Sequence, residues 1–248
     1  MMKLYIYYQV ITLKMLQYKL DIKARDILGN ELRNKVSELK PFSYNYVLDL
    51  GGNNGKLIRT LKTKTNTLIS LDIDRSIMVG ANGKPLPGIN PIQGNMLQLP
   101  FKDDLFDVIF ARAVLHHVPD NLEQAIVEIK RVLKNEGLLL IEEPGYHNPV
   151  AYIFRKAFPT SSHEIDEEPL KVNGLKYIIH KHFVVKEVKY FWLLSYTVPH
   201  LISRLPNKMK VIMRVILKGL VKIDKCLLQF NLFKPYCGYV MILCQKIK

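Results

Sequence analysis

VLDLGGNNGKL, residues 47–57, frames one acid with three apolar residues, follows them with glycines and asparagines, and ends near a lysine. The apolar part reads as a buried strand delivering Asp49 to a turn of Gly51, Gly52, Asn53, Asn54 and Gly55. Glycine permits positive φ and lets a ligand approach the backbone closely, and asparagine is the commonest other residue tolerated in that region. A helix starting near Lys56 offers free N–H groups to whatever occupies the turn. Two phosphate-binding readings fail on spacing. A P-loop needs four residues before its Gly-Lys pair and Ser or Thr after it, whereas three residues separate Gly51 from Gly55 and Leu57 follows Lys56. A dinucleotide fingerprint needs G-x-G-x-x-G, which no frame supplies. On the glycines alone, a tight turn without a ligand stays open as the alternative.

Outward from this turn, short apolar runs alternate with helical patterns. TLISLDI, GINPIQG, FDVIFARAV and GLLLIEE read as strands two to five, and NLEQAIVEIKRVLK as an amphipathic helix before the last of them. Strands alternating with helices predict a parallel sheet covered on both faces. Upstream, apolar residues recur at helical intervals from Leu16 until Pro41 ends the run, so 16–40 reads as an N-terminal helix. Residues 1–14 read either as a short strand or as an extension before Met15. Downstream of Glu143 the rhythm changes: 144–182 reads as a partly helical excursion and 199–230 as mostly helical. FVVKEVKYFWLLSY and YCGYVMILCQKI supply two further strands. The whole is expected to be one domain, 1–248, with its alternating strand-and-helix core at 46–143.

The composition fits that picture. With 248 residues and 48% hydrophobic content the chain can bury a sizeable core. Cys226, Cys237 and Cys244 sit among apolar residues with no CxxC spacing, which predicts buried thiols in a reducing compartment rather than disulfides or zinc. The first residues lack a small-residue cleavage site and are interrupted by Gln9 and Lys14, so a cytoplasmic location is expected. The net charge of +14 is uneven: residues 1–143 hold 19 Lys and Arg against 16 Asp and Glu, and 144–248 hold 17 against 6. An anionic partner is therefore sought in the C-terminal part.

Asp72 ends the second strand about twenty residues beyond the glycine turn, where doubly wound nucleoside-binding sheets place a carboxylate that grips ribose hydroxyls. A helix cap is its plainer role, although Asp74 is better placed for that. From Tyr46 to Glu143 the chain resembles the class I S-adenosylmethionine-dependent methyltransferases, most closely the methyltransferase type 11 group. The family's D-x-G-x-G-x-G is matched by Asp49, Gly51 and Gly55, with Asn53 at the middle glycine, and its acid closing strand two by Asp72. GNMLQLPF is similar to the segment written G-D-x-x-x-L-P-F, with Asn95 in place of the aspartate that meets the adenine amino group. FDVIFARAVLHHVPD and EIKRVLKNEGLLLIEE match the fourth strand and the R-V-L-K-P-G-G turn, with Asn135 and Glu136 replacing proline and glycine. The resemblance implies a doubly wound, seven-stranded Rossmann-like α/β sheet with helical insertions near the C-terminus. It implies S-adenosyl-L-methionine as cofactor, held at Asp49, Gly51, Gly52, Asn53, Gly55, Asp72, Ile73, Asn95 and Met96.

Such a cofactor brings an activated methyl group, so the protein mainly has to align a nucleophile and exclude water. His116 and His117 follow strand four at the ligand edge and are the candidate general bases. The plainer reading, which we prefer, has one histidine packing and the other lining the cleft. Glu142 and Glu143 are alternative bases or solvated or capping acids. No cysteine or histidine spacing calls for a metal. The expected acceptor is a small molecule, glycan precursor or lipid-like compound, methylated at oxygen. A non-catalytic module of the same fold is the competing class.

In the second helical segment Arg214, Lys218, Lys222 and Lys225 form one basic stripe beside Met213, Ile216, Leu217, Leu220, Ile223, Leu227 and Leu228. This suits a lid helix with a solvated basic face, or peripheral contact of 208–228 with an anionic membrane. RNA is disfavoured, because the N-P-P-Y-like tetrapeptide of nucleic-acid amino methylation is absent and ARAV stands there.

Overall fold

The computed structural model describes residues 44–52, 65–74, 87–157, 170–198, 201–202 and 205–247. The expected helix over 16–40, the helices after the first two strands, and Asn53 and Gly55 lie outside the described residues. Seven strands form one sheet: β1 (Tyr44–Leu50), β2 (Thr65–Asp72), β3 (Asn90–Gln93), β4 (Phe106–Arg112), β5 (Leu133–Pro144), β6 (Val184–Phe191) and β7 (Tyr239–Gln245). Their order is β3-β2-β1-β4-β5-β7-β6. The first five run parallel, and β7 is antiparallel to both β5 and β6. This is the wound seven-stranded sheet that the sequence predicts, with β3 kept to four residues around Pro91, which cannot donate to a ladder.

The central strands read as continuous apolar runs because both faces are buried. On one face Leu48, Leu50, Ile109, Ala111, Leu139 and Ile141 share a core with α1 (Leu122–Val132), whose buried residues include Leu122, Ala125, Ile126 and Ile129. On the other, Val47, Leu68, Val108, Phe110 and Leu140 pack with Met241. Each of these larger side chains contributes about 1.5–3 kcal/mol by leaving water. Near the end of α1, Arg131 donates to the carbonyls of Leu99 (3.0 Å) and Phe101 (2.8 Å), while Glu128 Oε2 accepts from Leu99 N at 2.9 Å. These bonds fasten the loop carrying Asn95 and Met96 to the core helix.

After β5, Asn148 caps α2 (Pro149–Ala157) by accepting the Ala151 N–H at 2.7 Å. The sequence reads 144–182 as a partly helical excursion from the strand-and-helix alternation, but α3 (Val172–His182) departs from that expectation. Val172, Leu175 and Ile179 are buried in the main core, and the helix packs against α1. It is the crossover between β5 and β6, the last βα unit of the fold. α4 (Asn207–Leu227) is the cover helix, seated by Leu217 in a separate cluster with Trp192, Val198 and Ile202. Its buried Asp224 accepts from Leu194 N, Ser195 N and Ser195 Oγ at 2.8, 3.0 and 2.6 Å. Cys237 and Cys244 are buried as expected, and burial pushes both thiols up to about 12. Cys226 corrects the expectation: it is exposed on α4.

Candidate active site

The strand order reverses between β1 and β4, and the crevice beyond the carboxyl ends of these strands is where ligands bind in open α/β sheets. Gly51 has φ +67°, and a Cβ there would collide with the side chain of Val114 in the loop after β4. The bare turn thus allows the two loops to close on each other. Gly51 N donates to Leu71 O at 2.8 Å, which also ties the turn to β2. A Cβ on Gly52 would lie 2.6 Å from Asp49 Oδ2 and would also strike Ser70 Oγ. Asp49 and Ser70 are register partners on β1 and β2, and both are buried. Their Oδ2 and Oγ atoms are buried, and among the described residues neither has a hydrogen-bond partner. Desolvation pushes the Asp49 carboxyl up to about 7; Arg112 opposes that shift and Asp72 adds to it.

Asp72, 9% exposed, stands at the end of β2; its Oδ1 accepts from Asp74 N at 3.2 Å and its backbone carbonyl accepts from Gly94 N at 2.9 Å. The carboxylate is therefore at the expected edge and turned into its own tight turn. Ile73 is exposed, and its carbonyl accepts from Gln93 Nε2 at 3.0 Å. Asn95 uses its side-chain oxygen to accept Leu97 N–H at 2.9 Å, and Met96 packs partly into the main core. The amide oxygen has a second lone pair, so that turn bond leaves acceptor capacity.

His116 and His117 lie on the 3₁₀ turn Leu115–His117, with ring centroids 4.3 Å apart. Their environments differ. His116 has a side chain only 10% exposed, and its Nδ1 is 2.7 Å from Glu143 Oε2. Glu143 is fully buried, and its other oxygen accepts the N–H groups of Val114 (2.9 Å) and Leu115 (2.8 Å). With Oε1 occupied by two donors, Oε2 is the acceptor for an Nδ1–H, which leaves Nε2 of the neutral ring as a proton acceptor. His117 is exposed. Glu142 is also buried, corrects the solvated-acid reading, and pairs with Arg112 Nε at 3.0 Å. Burial raises its carboxyl above the ordinary range, with Arg112 opposing. Ala113, between β4 and this turn, adopts a left-handed φ of 46°, and its N–H donates to Glu142 O at 2.7 Å.

Sequence reasoning missed Ser70, Arg112 and the function of Glu143 as a clamp. A hydroxyl inside the apolar run LISLD is the signal that singles out Ser70; nothing in the linear pattern joins His116 to Glu143, 27 residues away. The cradle suits the implied cofactor. S-adenosyl-L-methionine is cationic at sulfur, and a buried carboxylate oxygen and a hydroxyl beneath a turn with no side chains are groups that such a ligand can use.

Comparison with known proteins bears on the family and the fold. Residues 48–141 match the model of the family described as Methyltransferase domain. A demethylmenaquinone methyltransferase of Lysinibacillus sphaericus (strain C3-41) is 37% identical over 82 residues, 31% of this chain and 35% of the relative. An uncharacterized methyltransferase, YcgJ, of Bacillus subtilis (strain 168) is 31% identical over 127 residues, 49% of this chain and 50% of its own. The crystal structure of YcgJ superposes with a TM-score of 0.58 at 19% identity, covering 89% of this chain and 99% of that one. The chain spans about a third to a half of the length of these two curated relatives. The match and the sheet order together make residues 48–141 a methyltransferase domain of the class I, S-adenosylmethionine-dependent kind, around which the chain is built.

Proposed function

We propose that the chain transfers a methyl group from S-adenosyl-L-methionine to a hydroxyl oxygen of an apolar, lipid-like acceptor, with His116 as general base. Asp49 and Ser70 beneath the glycine turn, with Asp72, hold the cofactor. His116 Nε2 takes the acceptor proton, and Glu143 is the positioning residue that fixes the tautomer and the ring orientation. The observation that carries the proposal is the 2.7 Å contact of His116 with a fully buried Glu143, on a turn that packs against Gly51 through Val114. A solvated or merely packing histidine has no need of such a clamp. The likeness to a relative named ubiquinone/menaquinone biosynthesis C-methyltransferase favours a second reading, methylation at carbon of a hydroxyl-bearing acceptor, in which the same histidine removes the hydroxyl proton.

The test uses purified protein, labelled cofactor and a cell extract separated into lipid and aqueous fractions. A labelled product in the lipid fraction is expected, and the position of its methyl group by NMR separates oxygen from carbon. His116→Ala is expected to lower kcat by about 10²–10⁴-fold, the usual range for a general base. Full turnover in this variant removes His116 from the mechanism. Absence of heat on calorimetric titration with the cofactor supports instead a non-catalytic module of the same fold.

A further inference from the structure

α4 carries two apolar faces, and only one of them packs against the other described residues. Leu217 faces inward with Asp224, while Ile212, Val215, Ile216 and Ile223, at i, i+3, i+4 and i+11, stay in solvent on the opposite side. Val215 is 69% exposed and Ile212 64%. Single exposed aliphatic residues are ordinary, but four on one side of a helix of 21 residues, three of them clustered at 212–216, are not. Lys218, Lys222 and Lys225 are exposed along one edge of that side. The helix has six basic residues and one acid, Asp224, which is buried and bonded to Leu194 and Ser195. Its outer surface thus presents apolar and cationic groups with no carboxylate. Among the described residues no helix is long and apolar enough to cross a membrane. The chain leaves α4 through exposed Phe230 and Leu232 and enters β7 at Tyr239, which pairs with Pro144 at the carboxyl end of β5. The end of the helix therefore lies at the same edge of the sheet as the candidate active site.

We infer that the outer face of α4 docks on an anionic membrane surface, with the aliphatic residues in the acyl boundary and the lysine edge among the headgroups. Charge complementarity selects this occupant over a second copy of a chain that is itself strongly basic. The docking is independent of the methyl acceptor and needs no turnover. Flotation of the full chain with phosphatidylglycerol vesicles and with phosphatidylcholine vesicles tests it. The wild type is expected to float with the anionic vesicles only and to be released as salt rises. Lys218→Glu with Lys222→Glu is expected to weaken the partition by at least tenfold, as is Ile212→Ser with Val215→Ser and Ile216→Ser, at roughly fivefold per lysine contact. Unchanged circular dichroism and calorimetric titration with S-adenosyl-L-methionine keep misfolding apart from lost docking. The inference is overturned if the wild type stays with the unbound fraction, or if the serine variant floats as well as the wild type. It is also overturned if the wild type is a dimer that the serine variant dissolves, or if filter binding at matched salt retains RNA while anionic vesicles fail.

Discussion

Gly52 has no room for a methyl group, and the atoms that exclude it are Asp49 Oδ2 and Ser70 Oγ, both buried and without a hydrogen-bond partner among the described residues. Gly52→Ala is expected to lower both the thermal midpoint and cofactor affinity, the latter by at least about tenfold on calorimetry, because the methyl group occupies the cradle. Ser70→Ala separates binding from folding. It removes an unsatisfied buried hydroxyl, so the free protein should keep or gain stability while affinity falls by about 0.5–1.5 kcal/mol, the net worth of one hydrogen bond. A fall in both quantities would make Ser70 a structural residue. Asp49 adds a pH signature. Between about 4 and about 7 the unfolded chain has released this proton and the folded free protein has kept it, so the linked stability falls as pH rises. A cationic ligand favours the ionised form, so cofactor affinity should rise from about pH 6 to about pH 8 with proton release. Calorimetry at the two pH values in buffers of different ionisation enthalpy measures it, and Asp49→Asn should flatten the slope.

The irregular start of β5 shows where local chemistry and the family pattern disagree. Glu136 stands where the family writes glycine, and its φ is 63°, in the left-handed region that disfavours a side chain. Its backbone is held there by two bonds to β7's end, Glu136 N to Lys246 O at 3.1 Å and Gln245 Nε2 to Glu136 O at 3.0 Å. Glu136→Gly should therefore stabilise the protein by about 0.5–1 kcal/mol, the relief of left-handed strain exceeding glycine's added freedom in the unfolded chain. Urea denaturation with an unchanged m-value checks it. At this scale the strands were the most legible part of the sequence, since VLDL, LISLD and VIFA are buried on both faces and read as unbroken apolar runs. α3 reads as part of an excursion because prolines and mixed charge precede it, and the signal of its true place is only Val172, Leu175 and Ile179, three residues over two turns. The glycine cradle was legible from local residue types. The Glu143 clamp was not, because it exists only after β4 and β5 pair and bring Arg112 opposite Glu142.

On the scale of the molecule, three chain segments converge at the ligand edge on one buried side chain. Asn148 Nδ2 lies 2.9 Å from Leu193 O, 2.9 Å from Tyr236 O and 3.3 Å from Trp192 O, while its Oδ1 caps α2. Two hydrogens serve the two short contacts, and the longer one is shared. The exits of β5 and β6 and the entry to β7 are thereby fixed relative to each other, and Gly145 N to Gly238 O at 2.9 Å reinforces the junction. The same knot sets where α4 meets the sheet, because Asp224 bonds to Leu194 and Ser195, next to the carbonyls that Asn148 holds. Asn148→Ala takes the Nδ2 donor from the carbonyls of Leu193 and Tyr236, on two other segments, and removes the cap of α2, so a loss of about 2–4 kcal/mol is expected. Asn148→Asp keeps the cap acceptor but puts an acid against the same carbonyls, and should cost at least as much. The effect should reach the cover helix: in either variant, hydrogen exchange in α4 and in 192–195 is expected to rise more than in β1 and β4, which pack independently of the knot. Equal protection of α4 in the variants and the wild type would place the anchoring of the cover on Asp224 alone.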